Sequence, residues 1–277
     1  MEQTPTALSI EDLKKLTNRL RARIVQMSHD AKAPHLASSL SCIDILATVY
    51  WNFLNIDSQN PTNDLRDRFI LSKGHAAAAL YATLAFRGFF PPEKLVEYVK
   101  EGSYFAEHPC PKKISGVEAA TGSLGHGLSI GLGMALAAKQ KKRDNNIFVL
   151  LSDGECNEGS VWEAALFATA NKLDNIIAFV DYNKWQATGR SNEVLGLAPL
   201  KNKWEAFGWQ CYEIDGHDHM AICRTIQNIS TNSGKPTMII CNTIKGKGIT
   251  FMEDDNNWHY RIPTTEEFIK AKTELHQ

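Results

Sequence analysis

The sequence predicts an α/β protein with a mostly parallel, doubly wound sheet and helices on both of its faces. Short, nearly continuous apolar runs alternate with helix-length segments over most of the chain. Parallel strands are covered on both faces, so they lack the apolar–polar alternation of half-exposed strands. No linker divides the 277 residues, which are enough for one large α/β domain. We therefore expect a single domain over residues 1–277.

Local signals place the individual elements. Ser9 is predicted to cap a helix that runs to about residue 27, because an acid lies three residues further on. Ser41 gives the same start signal for a second helix through residue 54. The remaining predicted elements are strands at 69–71, 147–151, 176–180, 210–214 and 237–241, and helices at 76–87, 128–142, 161–171 and 220–229.

Composition excludes several classes of protein. The formal net charge is −1, which gives no reason to expect nucleic-acid or anionic-membrane binding. No apolar stretch approaches the roughly 20 residues that span a bilayer, and the N-terminal stretch lacks an apolar signal core. The six cysteines are scattered without metal-like pairs, which is typical of reduced thiols in a cytoplasmic protein.

Polar or glycine-rich residues follow all five predicted strands. A single polar strand end is usually a turn or a helix cap. In an open parallel sheet, however, ligands bind outside the carboxyl ends of the strands, so five such ends favour a shared binding edge. The segments that follow the strands are Ser72-Lys73-Gly74-His75, Ser152-Asp153-Gly154-Glu155, Asp181-Tyr182-Asn183, Asp215-Gly216-His217-Asp218 and residues 242–248.

Two of these strand ends could together bind a metal and a phosphate. Asp153 and Asn183 are separated by one βαβ crossover, so they can lie at neighbouring strand ends. Their side chains offer the hard oxygen donors that suit Mg²⁺, and Gly154 would let a phosphate approach the backbone. The helix that begins near Glu158 could point its N-terminus at the site. Equally, Asp153 could cap that helix and Asn183 could form a turn.

A glycine-rich stretch, residues 121–127, precedes a segment of small residues that predicts a closely packed helix. No clear strand leads into the stretch, so it is not the dinucleotide-binding fingerprint. Its backbone could still contact a flat ring, although this signal is weak alone.

With these residues in place, the chain resembles the N-terminal, diphosphate-binding half of transketolase, and above all the N-terminal subunit of split transketolases. The segment from Asp153-Gly154-Glu155 to Asp181-Tyr182-Asn183 resembles the thiamine diphosphate signature, which other thiamine enzymes share. Three further blocks make the resemblance specific: residues 67–75, residues 116–127, and Trp258-His259 after residues 243–248. The resemblance extends over about residues 13–263 and implies the thiamine diphosphate-binding fold of the PP type.

The resemblance implies a thiamine diphosphate site with a metal. Asp153 and Asn183 would bind Mg²⁺ through their side chains and Trp185 through its carbonyl oxygen, with Ca²⁺ or Mn²⁺ as substitutes. Glu155 belongs to the signature and is counted among the cofactor-binding residues, but it has no specific role and could simply be solvated. The residues implied in cofactor binding are His75, Gly122, Ser123, Leu124, Asp153, Gly154, Glu155, Asn183, Lys245 and His259.

The same resemblance implies catalytic residues. His35 and His108 would contact a sugar or sugar phosphate near its reacting carbons, while His75 and His259 would lie near the thiazolium. Neutral histidines can both donate and accept protons near pH 7. Glu158 would couple the site to the neighbouring catalytic half. The other histidines are assigned to packing or the surface, and Trp51, Trp162, Trp204 and Trp209 to the core or an interface.

Single-chain transketolases have a pyrimidine-binding domain after this one, with the glutamate that activates the cofactor. That domain requires well over a hundred further residues. We therefore expect a partner chain that supplies it, in an α₂β₂ assembly with cofactor between unlike subunits.

Three residues depart from the usual family pattern. Pro34 precedes His35 and stiffens that loop, Tyr260 follows His259 where glycine is common, and Ser152 replaces the first glycine of the signature. The first two changes suggest a specialised transketolase whose acceptor is a modified or nucleotide-linked sugar. The alternatives are another thiamine enzyme, such as a 2-oxoacid dehydrogenase α chain or a relative of deoxyxylulose-phosphate synthase, and a non-catalytic binding homologue.

Overall fold

Five parallel strands form the central sheet of the computed structural model, which describes residues 7–111, 113–230 and 233–276. The strand order is β1-β2-β3-β5-β4. The strands are β1 Arg68–Leu71, β2 Ile147–Ser152, β3 Ile176–Tyr182, β4 Gln210–Asp215 and β5 Thr237–Asn242. The predicted α/β class and parallel sheet are confirmed, and each predicted strand is present within one or two residues of its expected bounds.

Helices cover both faces of the sheet. The α-helices are α1 Ile10–Ala31, α2 Leu36–Ser41, α3 Ile43–Asn52, α4 Ala77–Phe86, α5 Gly127–Gln140, α6 Gly159–Ala170, α7 Ser191–Val194, α8 Leu200–Ala206, α9 His219–Gln227 and α10 Thr265–Glu274. Short 3₁₀ turns lie at Gly74–Ala76, Pro92–Glu97, Gly154–Asn157 and Asn256–His259.

Alternate residues of the central strands enter two different cores. Phe148 and Leu150 of β2 pack in one cluster with residues of α1, α3 and α4. Ile147, Val149 and Leu151 pack in the other with residues of α5 and α6. Every residue of β2 and β3 is buried, which explains the continuous apolar runs in the sequence.

The two predicted helix starts have different outcomes. Ser9 caps α1, since its hydroxyl accepts a hydrogen bond from the Asp12 amide at 3.1 Å. The predicted start at Ser41 is wrong, because Ser41 is the last residue of α2 and α3 begins at Ile43. The Ser41 hydroxyl instead donates to the Asp181 carboxylate at 2.7 Å, so a competing tertiary contact occupies the side chain that would have capped the helix.

Trp204 and Trp209 are buried in the core beside α6, as predicted. Within the described ranges, no helix is long and apolar enough to cross a membrane.

Candidate active site

The strands β2 and β3 are direct neighbours, with Ser152 in register with Asp181. Asp153 and Asn183 follow these strand ends and meet at the same edge of the sheet, as the sequence predicted. The backbone connects them as well, because the Lys184 amide donates to Asp153 Oδ2 at 2.9 Å.

Asp153 is a fully buried carboxylate with several donors around it. Oδ2 also accepts from the Ser191 hydroxyl at 2.7 Å, and Oδ1 accepts from the Gly154 amide at 2.9 Å. Burial raises the pKa of Asp153 to about 6, and the negative charge of Asp181 adds to the effect. Asp153 caps only the 3₁₀ turn after β2, whereas α6 has Glu158 at its N-cap. The helix-cap alternative therefore does not account for this carboxylate.

Asn183 is held in one orientation by a buried ion pair. Its amide nitrogen donates to Asp181 Oδ2 at 3.1 Å, while its oxygen accepts from the Trp185 amide at 3.1 Å. Asp181 is itself bound to Lys73 Nζ at 2.5 Å, and both side chains are fully buried. The amide oxygen, which is the predicted metal ligand, thus points away from Asp181. The turn predicted as an alternative for Asn183 is present together with this arrangement.

No role was predicted from the sequence for Lys73 or Asp181, although both lie in the segments that follow strands. Burial opposes the charge on each, yet their contact keeps the pKa of Lys73 above its usual value and that of Asp181 below it. Both groups are therefore ionised. Their position directly behind Asn183 makes them part of the support for the site.

We expect Lys73→Met to lower the free energy of unfolding by about 3–5 kcal/mol, because it leaves the Asp181 carboxylate buried without its cation. Denaturant unfolding measures the loss. The double variant Lys73→Met/Asp181→Leu removes both charges and should recover part of the stability. A double variant no more stable than Lys73→Met would contradict the ion-pair explanation.

Four predicted histidines converge on one point. The ring of His35 lies with its centroid 5.4 Å from that of His75, 6.2 Å from that of His108 and 5.1 Å from that of His259. They come from segments far apart in the sequence, so only the tertiary fold brings them together. Burial holds the pKa of His75 well below its usual value, and the charge of Lys73 adds to this. These residues form the histidine cluster.

His35 is the centre of the histidine cluster and has an unusual backbone. Its φ is +65°, in the left-handed region, and its amide donates to the His259 carbonyl at 2.8 Å. Its Nδ1 lies 2.9 Å from Glu107 Oε1. Burial lowers the pKa of His35 despite this carboxylate. The ring is therefore neutral near pH 7, with Nδ1 beside the Glu107 carboxylate.

Lys245 connects the histidine cluster to the end of β5. Its ammonium donates to Asn256 Oδ1 and to His259 Nδ1, each at 2.8 Å. Burial lowers the pKa of Lys245 to about 7, with a contribution from Lys73. Burial and the charge of Lys245 lower the pKa of His259 to about 3. Because Nδ1 of the neutral His259 ring accepts a hydrogen bond from Lys245, Nε2 carries the ring hydrogen.

Glu155 is hydrogen-bonded to the glycine-rich loop, residues 121–127. The expectation that it is solvated is wrong, since it is 0% exposed. Its carboxylate accepts from the Ser152 amide at 2.8 Å, from the Gly125 amide at 3.0 Å and from the Ser72 hydroxyl. Hydrogen bonds to three segments explain why a carboxylate is buried here. The cofactor contact implied for Glu155 stays a prediction.

The glycine-rich loop leaves part of its backbone open. Gly122, Ser123 and Leu124 are all exposed, and Gly122 lies against the ring of His108. Gly125 has φ +78°, and a Cβ there would lie 2.7 Å from Cβ of Glu158, so only glycine fits. This contact places the loop beside the start of α6.

Glu158 itself is exposed at the N-cap of α6 and makes no side-chain capping bond. Its carboxylate is thus available at the surface next to the glycine-rich loop. This position agrees with the expected contact to a second subunit, which stays a prediction.

The residues at this edge fit a magnesium-bound diphosphate. A desolvated carboxylate with a raised pKa and an amide oxygen oriented by Asp181 are the donors such an ion requires. Among the described residues, no group of three or more histidine, cysteine, aspartate or glutamate side chains could hold a metal. The predicted site has only one carboxylate and would complete its shell with Asn183, the Trp185 carbonyl and cofactor oxygens.

Comparison with known proteins supports the same conclusion. Residues 13–275 match the family model for the transketolase thiamine diphosphate binding domain. The chain is 39% identical to an apulose-4-phosphate transketolase subunit of Phocaeicola vulgatus, over 97% of this chain and 95% of that protein. It is 42% identical to the 6-deoxy-6-sulfo-D-fructose transketolase subunit SqwG of a Clostridium species, over 94% of each.

Solved structures agree with the fold. The crystal structure of transketolase from Campylobacter jejuni superposes with a TM-score of 0.91 at 32% identity. It covers 97% of this chain, whereas this chain spans 43% of that one.

Fold and site together define an α/β domain with a candidate cofactor site at the carboxyl edge of a parallel sheet. The chain belongs to the transketolase family and comprises its thiamine diphosphate-binding domain. This membership favours transketolase over the other thiamine enzymes considered from the sequence.

Proposed function

We propose that this chain is the diphosphate-binding subunit of a split transketolase. The enzyme would transfer a two-carbon ketol unit from a ketose or ketose phosphate to an aldose or modified-sugar acceptor. The observation that supports this most directly is the histidine cluster beside Lys245 and the Asp153 strand end. Thiamine diphosphate supplies the electron sink when bound, and the protein supplies position and electrostatics.

The cofactor contacts proposed at this edge of the sheet are those that the family resemblance implies. Asp153, Asn183 and the Trp185 carbonyl would hold Mg²⁺, with Ca²⁺ or Mn²⁺ as substitutes. Gly154 and Lys245 would lie against the diphosphate. The exposed backbone of residues 122–124 would contact the aminopyrimidine. Burial disfavours the charged form of Lys245, and an anionic diphosphate beside it would raise its pKa again and keep the ammonium positive.

The histidine cluster would bind the sugar. The lowered pKa values of His35, His75 and His259 keep their rings neutral near pH 7. A neutral imidazole can accept a proton at one nitrogen and donate at the other. His35 and His108 would thus hold the sugar hydroxyls and exchange protons with them. His259 would donate from Nε2, since Lys245 occupies its Nδ1.

A partner subunit would complete the site. Two relatives that match over almost their whole lengths are named as transketolase subunits. We infer a partner that supplies the pyrimidine-binding domain and the activating glutamate, in an α₂β₂ assembly with Glu158 at the boundary. All six cysteines are free, which supports a cytoplasmic location.

Reconstitution tests this function. The purified chain alone should show no ketol transfer, whereas the chain mixed with its partner subunit, thiamine diphosphate and Mg²⁺ should be active. Cofactor binding is measured by calorimetry, and ketol transfer by the appearance of the lengthened sugar. A heteromer that binds cofactor but transfers no two-carbon unit would overturn the proposed reaction. A heteromer that binds no thiamine diphosphate would overturn the whole proposal.

The acceptor is proposed to be a modified sugar. Tyr260 is 62% exposed and its ring lies 4.7 Å from that of His259 and 5.6 Å from that of His35, measured between centroids. A tyrosine here narrows the entrance to the histidine cluster. Two relatives are named for apulose 4-phosphate and 6-deoxy-6-sulfo-D-fructose. A fructose derivative is a ketose and hence a donor in this reaction, so these names support an unusual sugar substrate in general.

We expect Tyr260→Gly to raise kcat/KM for ribose 5-phosphate relative to that for the native acceptor by about tenfold, the scale that corresponds to about 1.4 kcal/mol. Removing the ring widens the entrance and abolishes its contacts with a bound acceptor. Tyr260→Phe keeps the bulk and should leave the preference unchanged. Efficient turnover of xylulose 5-phosphate with ribose 5-phosphate by the unmodified enzyme would contradict the specialised acceptor.

A further inference from the structure

We propose that His217, Asp44 and Arg21 form a clamp that positions Lys245 for cofactor binding, with His217 as its central positioning residue. The inference rests on the proposed cofactor role of Lys245. From the sequence, His217 was expected to be a packing or surface residue. The three side chains come from the segment after β4, from α3 and from α1, and they meet behind residues 243–248.

His217 makes one hydrogen bond with each ring nitrogen. Its Nε2 lies 2.9 Å from the Ile244 amide, and its Nδ1 lies 2.7 Å from Asp44 Oδ2. A backbone amide can only donate, so Nε2 must carry the lone pair. Nδ1 then carries the hydrogen and donates to the carboxylate. The contacts thus fix the tautomer, and the ring connects a buried charge to the residue before Lys245.

Asp44 is anchored by a second donor. It is 3% exposed and accepts from Arg21 Nη2 at 2.5 Å. Burial opposes its charge, but the Arg21 guanidinium and His217 hold the pKa of Asp44 well below its usual range. Arg21 Nε donates in turn to the Lys247 carbonyl at 3.0 Å. The clamp is therefore hydrogen-bonded to the backbone at Ile244 and at Lys247, on either side of Lys245.

The backbone between Ile244 and Lys247 is also constrained by contacts outside the clamp. Gly246 has φ +80°, and a Cβ there would lie 2.4 Å from the Met252 carbonyl oxygen. Its amide donates to the Ala37 carbonyl at 3.0 Å. The backbone is thus fixed on both sides, and the fully buried Lys245 side chain is directed to Asn256 and His259.

Loss of the bond to Ile244 would leave a backbone amide without its partner and release one end of the clamp. Lys245 would then be less well placed for an anionic ligand. Partners that orient ligand-binding residues typically contribute about 10- to 100-fold in affinity. Among the described residues His217 makes no hydrogen bond to the histidine cluster and reaches it only through Lys245, which bonds His259. A bound diphosphate would hold Lys245 in place, so saturating cofactor should restore most of kcat.

Two isosteric variants separate the two bonds of His217. Asn places its amide near Nδ1, so His217→Asn keeps a donor for Asp44 but cannot reach Ile244. Gln reaches the Nε2 position, so His217→Gln keeps an acceptor for the Ile244 amide. In the heteromer with Mg²⁺, we expect His217→Asn to raise the Kd for thiamine diphosphate about 10- to 100-fold and His217→Gln less than about threefold. Both should retain kcat at saturating cofactor.

His219 provides the matched control. This buried histidine lies 3.6 Å from Asp44 through Nε2 and bonds the Thr48 hydroxyl through Nδ1 at 2.8 Å, away from residues 243–248. His219→Asn should lower the melting temperature without changing the cofactor Kd. If His217→Asn does not fold, Arg21→Lys gives the same comparison, because lysine lacks the guanidinium fork that bonds Asp44 and the Lys247 carbonyl from separate nitrogens.

Equal Kd values for His217→Asn and His217→Gln, or for Arg21→Lys and the unmodified enzyme, would overturn the clamp. An equal rise in Kd for His219→Asn would show that the rise for His217→Asn comes from lost stability. That result would also overturn the clamp. Failure of the unmodified heteromer to bind thiamine diphosphate would overturn the proposed function instead.

Discussion

Replacing Asp153 by asparagine is expected to weaken Mg²⁺-dependent binding of thiamine diphosphate by more than about 100-fold, since even the partners of metal ligands contribute about 10- to 100-fold. The variant keeps the shape of the side chain but removes its negative charge. Asp153 is the one carboxylate in the predicted metal shell, and it is fully buried. Calorimetric titration of the heteromer with cofactor, with and without EDTA, measures the loss.

The pH dependence of the unmodified enzyme gives a second measure of the same carboxylate. Burial raises the pKa of Asp153 to about 6 from its usual 3.8. Metal binding requires the ionised form, so protons compete with Mg²⁺ below pH 6. Cofactor affinity should therefore fall by up to about tenfold for each pH unit below 6, and stay free of this effect above it. Asp153→Asn should show no such dependence.

Asp57→Asn is the matched control, because it makes the same chemical change at an exposed loop carboxylate. It should leave both the affinity and its pH profile unchanged. If Asp153→Asn binds cofactor and Mg²⁺ as tightly as the unmodified enzyme does, Asp153 is not a metal ligand.

The sequence predicted the carboxyl edge of the sheet because strand ends carry strong local signals. Asp153 and Asn183 follow continuous apolar runs, and the crossover length makes their strands neighbours. The same local information failed at Ser41, where a hydroxyl suited to capping a helix instead donates to Asp181. Whether this hydroxyl accepts from a helix amide or donates to a carboxylate is decided by a residue 140 positions away, and no local pattern contains that information.

The supporting residues were harder to predict for the same reason. A buried glutamate such as Glu155 looks like a solvated acid until the amides of Ser152 and Gly125 are seen around it. The contacts of Asp44 come from side chains 23 and 173 positions distant. Lys73 did have a signal, since it lies directly before Gly74-His75 at a strand end, but its partner Asp181 had to be found in the fold.

We expect His35→Ala to lower kcat by about 100- to 10,000-fold, the usual contribution of a residue that transfers protons. His35 lies at the centre of the histidine cluster, where its ring faces those of His75, His108 and His259. Its backbone and side chain make no hydrogen bond to Asp153 or Lys245 within the described part of the chain, so the Kd for thiamine diphosphate should change less than about threefold. Single-turnover kinetics at saturating cofactor measure the chemical step directly.

Backbone strain at His35 must be separated from its chemistry. With φ at +65°, alanine at this position costs roughly 1–2 kcal/mol, whereas asparagine tolerates the left-handed region better. His35→Asn should thus be more stable than His35→Ala, yet equally slow, because an amide cannot exchange protons near pH 7. His276→Ala is the matched control, since this exposed histidine also has a positive φ of 58°, and it should leave kcat unchanged. If His35→Asn restored kcat along with stability, the role of His35 would be to stabilise the left-handed backbone conformation. Proton transfer to the sugar would then have to be assigned to His108 or His259.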